Sequence, residues 1–136
     1  MTAKKIKTVA VEKGDYKIFL KKAVDLYDIM LKARDTGNWT AVGLNAVHCA
    51  ISISDAILVK YGGIRSIDSD HMVVVDIMRQ KLNLKDIDAR LASFRRMLSK
   101  KSLIEYDNTV FTKNDAMGMM KQLERYYIWA REELLK

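Results

Sequence analysis

The sequence predicts an all-α protein, an antiparallel up-and-down bundle of four to five helices, and three observations carry that prediction. The chain has 136 residues, 49% of them apolar, which is enough for one compact core. It contains six glycines and no proline, so nothing breaks a helix interior and few tight turns are supplied. Apolar residues recur at spacings of three and four over most of its length. Residues 1–14 read as a flexible, basic N-terminal arm with room for one irregular or extended piece, and residues 15–136 as a single helical domain.

The helices follow in order. Asp15 is a candidate cap for a first helix that turns Tyr16, Phe19, Leu20, Ala23, Tyr27, Met30 and Leu31 inward, with Gly37 as its stop. Asn38 caps a second helix that Gly62 and Gly63 end; the short connection between the two predicts an antiparallel hairpin. After the turn from Tyr61 to His71, Asp68 or Ser69 caps a third helix that runs to about Lys81 and holds His71 in its first turn. Asn83 opens a fourth helix with Leu84, Ile87, Leu91, Phe94 and Leu98 on one face and Arg90, Arg95, Arg96, Lys100 and Lys101 around the rest. Residues 102–112 are a connection, and Thr112 or Asn114 caps a last helix that buries Ala116, Met119, Met120, Leu123, Tyr127, Ala130 and Leu134. Phe19, Tyr27, Val47, Ile57, Leu91, Leu123 and Tyr127 are the expected core.

Bulk properties exclude several classes of function. The single cysteine, Cys49, allows no intrachain disulfide, and its apolar surroundings predict a buried, unreactive thiol. No run approaches the ~18 apolar residues of a membrane span, and the N-terminus lacks a signal-peptide core, so a soluble, cytoplasmic protein without membrane attachment is expected. The net charge of +7 permits a polyanionic partner such as RNA, but the segment 35–81 is slightly acidic and the charge alone does not locate a site. His48 and Cys49 are adjacent on a helix and point apart, so no metal site is expected. No phosphate-binding glycine loop, nucleophile elbow or dinucleotide fingerprint is present.

The chemistry concentrates between Asn38 and Met78. Within the apolar second helix, Asn45, His48, Ser52 and Asp55 recur at spacings of three, four and three and so share one face. A narrow polar stripe on a buried helix must find partners or cost about 1 to 3 kcal/mol per group. Arg65, a permanently charged fork suited to phosphate, and His71, which titrates near neutral pH, follow at once.

This Arg-x5-His pattern, set at a glycine turn that leads into a helix, resembles the HEPN superfamily, whose ribonuclease members carry an arginine and a histidine a few residues apart. Asn38-Trp39-Thr40-Ala41 followed by Asn45-Ala46-Val47-His48-Cys49-Ala50 is similar to the family's second helix. Leu103 to Asp107, with Phe111 to Ala116, is similar to its last connection and last helix. The resemblance implies a metal-independent endoribonuclease without cofactors, in which His71 moves the proton of a ribose 2'-hydroxyl or of the leaving oxygen and Arg65 holds the phosphate. Asn45, His48, Ser52, Asp55, Ser66 and Asp70 would be the supporting polar groups. Ser66 departs from the family, where the residue after the arginine is commonly Asn, Asp or His. The resemblance further implies a homodimer in which each chain supplies half a site, and the apolar second helix points the same way, since three neighbours leave it short of cover. RNA is the implied target, and a nucleotidyltransferase-type antitoxin the implied partner, in a toxin or phage-defence setting. The competing expectations are a non-catalytic HEPN module that binds a nucleotide or a protein through the same groove, and a structural helical adaptor.

Overall fold

The computed structural model describes residues 7–136. Its element order is β1 (Thr8–Ala10), a single 3-10 turn (Lys13–Asp15), α1 (Tyr16–Asp35), α2 (Trp39–Gly62), β2 (Ile64–Ser66), α3 (Met72–Lys81), α4 (Ile87–Tyr106) and α5 (Lys113–Leu135). The predicted all-α bundle is present, with a two-stranded ribbon added to it.

The bundle is built around α2. Its cover comes from within the chain, from α1, α5, α4, β2 and α3, so its apolar excess does not call for a second subunit. By length and mean hydropathy, 1.6, α2 would pass for a membrane span, contrary to the expectation that no segment would, but 78% of that stretch is buried inside the protein and it serves as the core helix. Asn38 caps it, its side chain accepting a hydrogen bond from the Ala41 amide, and Gly63 ends it in the left-handed conformation at φ 63°. Gly43 is bare for a packing reason: a Cβ there would approach Phe111 to 2.6 Å and Ile104 to 2.9 Å. Phe111 thereby anchors the α4–α5 connection against α2.

α5 runs alongside α2 in the same direction. Lys60 Nζ donates to the Leu134 carbonyl at 2.7 Å and Tyr61 Oη to the Glu133 carbonyl at 2.6 Å, so side chains of one helix satisfy the open carbonyls at the end of the other. Thr112 and Asp115 form the expected start of α5 as a reciprocal capping box. Of the expected core, Phe19, Val47, Ile57, Leu91, Leu123 and Tyr127 are buried. Tyr27 is only half-buried, because its ring stacks on Tyr127 with centroids 4.4 Å apart while its hydroxyl reaches out toward Glu124.

Three boundaries and one cap differ from expectation. Asp15 holds the cap position of α1, but its side chain makes no capping bond, because a 3-10 turn leads into the helix. α3 starts at Met72 and leaves His71 just outside it: Asp68 accepts from the Asp70 amide and Asp70 from the Met72 amide, and these two successive turns hold the loop out of helix. α4 starts at Ile87 and not Asn83, after Asp86 adopts a left-handed φ of 61°. It then continues past Lys101 to Tyr106, with Lys101 and Glu105 paired one turn apart at 3.2 Å. Within the expected N-terminal arm, residues 8–10 are the extended piece, β1, paired antiparallel with β2 so that Val9 lies opposite Arg65. The Val11 amide donates to the Gly63 carbonyl and extends that attachment; residues 1–6 lie outside the described residues.

Candidate functional site

The ribbon fixes the position of Arg65. β2 leaves α2 through the Gly63 turn and is held by β1, which brings the arginine back along the last turns of α2 to Asp55. Arg65 Nε lies 3.7 Å from Asp55 Oδ2, close enough for charge attraction and too far for a hydrogen bond. That Nε is buried and has no hydrogen-bond partner among the described residues. The guanidinium also sits 5.1 Å from the centre of the Phe19 ring, which Lys22 approaches to 5.2 Å. Arg65 is therefore held by a ring, a strand and a loose ion pair.

Asp55, Arg65, Ser66, Asp68 and His71 line one cleft of about 320 Å³, with Ile51, Ile67 and Val74 as its apolar wall. Burial pushes the Asp55 carboxyl up from its ordinary 3.8 to about 6, and the charges of Arg65 and Lys22 only partly oppose this. His71 lies between this cleft and a second depression of about 300 Å³, walled by Leu98, Ser99, Lys101 and Ser102 of α4. Its imidazole is held below its ordinary pKa by burial first, then by Lys101, His48 and Arg65; Asp70 opposes. His48 is lowered by burial and Lys101, against Glu105. Both rings are consequently neutral near pH 7.

The expected site thus separates into parts. The structure brings Arg65, His71, Asp55 and Ser66 together and sets His48 within the field that acts on His71. It does not bring Asn45 or Ser52 to the cleft. At 1.5 Å per residue Asn45 is roughly 15 Å along α2 from Asp55, and its amide donates back to the Ala41 carbonyl of its own helix at 2.8 Å. Ser52 is half-buried and lines neither depression. Asp70 spends its carboxylate on the Met72 amide, and Ser66 Oγ accepts from the Asp68 amide at 3.2 Å, so both act on the loop that carries His71. The expected stripe is therefore not one site.

Sequence reasoning missed Phe19, Asp68 and Lys101. Phe19 was assigned to the core, and no local pattern marks it as the platform under an arginine of a later strand. Lys101 was readable in part, because its spacing of four from Glu105 favours a helix that continues through both. Cys49 is the buried thiol expected, pushed up to about 12 by burial, with its Sγ donating to the Ala23 carbonyl. Among the described residues no three His, Cys, Asp or Glu side chains converge as metal ligands.

No protein-family model matches the chain, and no curated protein matches it. The resemblance to the HEPN superfamily rests on the residues quoted for it.

Proposed function

We propose that the protein is a HEPN-type, metal-independent endoribonuclease, acting as a toxin or phage-defence component beside a nucleotidyltransferase-type partner. The observation that carries this reading is that Arg65 and His71, which differ in element and chemistry, line one cleft. A neutral His71 accepts the 2'-hydroxyl proton as that oxygen attacks the adjacent phosphorus. Arg65 binds the phosphate oxygens as charge gathers on them, and the bond to the 5'-oxygen breaks. The 5'-oxygen takes a proton from the partner chain's histidine in a two-fold dimer, or from water. The products are a 2',3'-cyclic phosphate and a free 5'-hydroxyl.

Support comes from the electrostatics of the cleft. A depressed imidazole pKa keeps the base unprotonated at neutral pH, and a guanidinium with no hydrogen bond at Nε is not fully committed to protein partners. The test is incubation of purified protein with mixed RNA in EDTA, with His71→Ala as control. Cleavage that leaves cyclic phosphate ends, is lost in the variant, and has an acid limb with its midpoint below 6.5 supports the proposal. RNA left intact by the wild-type protein contradicts it.

One observation favours a second reading, a non-catalytic module that binds a nucleotide or a protein partner. Asp55 at 3.7 Å partly neutralises Arg65, and Ser66 is occupied within its own loop, which suits exchange of one anion for another more than turnover. Saturable binding of a nucleoside triphosphate, lost in Arg65→Ala and without RNA cleavage, would favour it.

A further inference from the structure

Four cations converge between α4 and α5, and none of them lines the cleft of Arg65. Arg90 and Arg96 on α4 face Lys121 and Arg125 on α5 across a groove of about 310 Å³. Its lining includes no acidic residue, and none of the four forms an ion pair among the described residues. The contrast with nearby arginines is informative: Arg79 lies 3.8 Å from Asp88, and Arg95 lies 3.5 Å from Asp76. Nε of Arg90 is buried without a hydrogen-bond partner among the described residues. Gly118 keeps one wall open, since a Cβ there would meet nothing within 4 Å.

We propose that this groove binds the phosphodiester backbone of a single-stranded nucleic acid. Unpaired like charges facing one another repel, and an anion laid between them removes that repulsion. Three of the four are arginines, whose planar forks match phosphate oxygens two at a time. The cations occupy both walls along roughly 10 Å of α5, from Gly118 to Arg125, which suits a line of phosphates better than one. A groove of about 310 Å³ accommodates one phosphodiester strand between its walls. Beyond Arg125 and Arg90, which it shares, the groove opens into a cleft of about 550 Å³. There Trp129 is only 6% exposed and donates its indole N–H to the Lys85 carbonyl, so it offers no face on which a base could stack. Asp86 and Glu132 at that mouth weaken its positive field, which assigns the phosphate contacts to the inner part. Binding is accordingly indifferent to base sequence. The inference does not rest on the cleft of Arg65 being catalytic.

The test is fluorescence anisotropy with a labelled 2'-O-methyl oligouridylate of about twelve nucleotides, which has no hydroxyl able to attack and so reports binding alone. The exposed triple variant Arg96→Ala/Lys121→Ala/Arg125→Ala is compared with Lys17→Ala/Lys32→Ala/Lys81→Ala, which loses the same charge elsewhere. The groove variant is expected to bind more than about tenfold more weakly in low salt, and the slope of log affinity against log salt to fall by about 2. The control variant should stay within about threefold of wild type. Equal losses in the two variants, no binding by wild type, or displacement by polyglutamate as readily as by unlabelled oligonucleotide would each overturn the proposal. Binding through the groove with no RNA cleavage would refute the ribonuclease reading and leave this one standing.

Discussion

Ser54 and Asp55 are consecutive residues of α2, both polar and both buried, and they meet opposite fates. Ser54 turns toward α5, where its hydroxyl donates to the Ala50 carbonyl at 2.7 Å and lies 2.7 Å from the Tyr126 hydroxyl. Because the single serine proton is used on Ala50, Tyr126 is the donor in the second bond. Both groups are satisfied, and burial raises the Tyr126 pKa, so the phenol stays neutral. Asp55 turns toward β2, where its nearest partner is an arginine at 3.7 Å and a cleft opens beside it. A buried polar group with its bonds complete specifies packing, whereas one left short of partners beside a cleft is a candidate for chemistry.

Breaking the satisfied side has the largest expected effect. Tyr126→Ala removes a fully buried ring that packs on Phe94 and Trp129, and should cost about 3 to 5 kcal/mol in denaturant unfolding. On the other side, the sign of the Asp55 effect distinguishes the two regions. Its folded pKa, about 6, exceeds the unfolded carboxylate value, so between about pH 4 and pH 6 the native state holds the extra proton and stability falls as pH rises. The full span is about 3 kcal/mol. Asp55→Asn should abolish that decline and leave the protein no less stable at pH 7 than wild type, as read by melting temperature against pH. A large loss at pH 7 would instead make Asp55 and Arg65 a structural pair. Tyr126→Phe keeps the ring and deletes one hydrogen bond, for about 1 kcal/mol. Ser66→Ala is the smallest change: it removes one acceptor from the loop and should shift stability by under about 1 kcal/mol while loosening His71.

The fold was readable where signals are local. Periodicity, the Asn38 cap and the Gly63 stop each act within a few residues and are present as expected, and of the two caps offered for the last helix, Thr112 and Asn114, it is Thr112 that caps it. The ribbon was not readable, because Thr8–Ala10 and Ile64–Ser66 are three residues each and pair across more than fifty positions of chain. The start of α3 was misplaced because Asp68 and Asp70 are good caps and also good turn formers, and only the loop's attachment to the ribbon decides between these roles. Of the candidate site, Arg65 and His71 were singled out by residue type together with the resemblance quoted for them, and both line one cleft. The stripe from Asn45 to Asp55 was over-read as one site. Sharing a face of a helix guarantees a common direction, but not a common neighbour along about 15 Å of its length.

The central claim is that Arg65 and His71 act together in one cleft, and the direct measurement is a double-variant comparison of RNA cleavage in EDTA, with thermal unfolding run on the same samples. Groups that cooperate in one step are strongly non-additive. Arg65→Ala and His71→Ala should each abolish cleavage, the double variant should be no slower than either, and all three should unfold within about 1 kcal/mol of wild type. Wild-type protein that cleaves no RNA, together with an Arg65→Ala variant destabilised by about 3 to 5 kcal/mol, would contradict the account and make the arginine a structural residue.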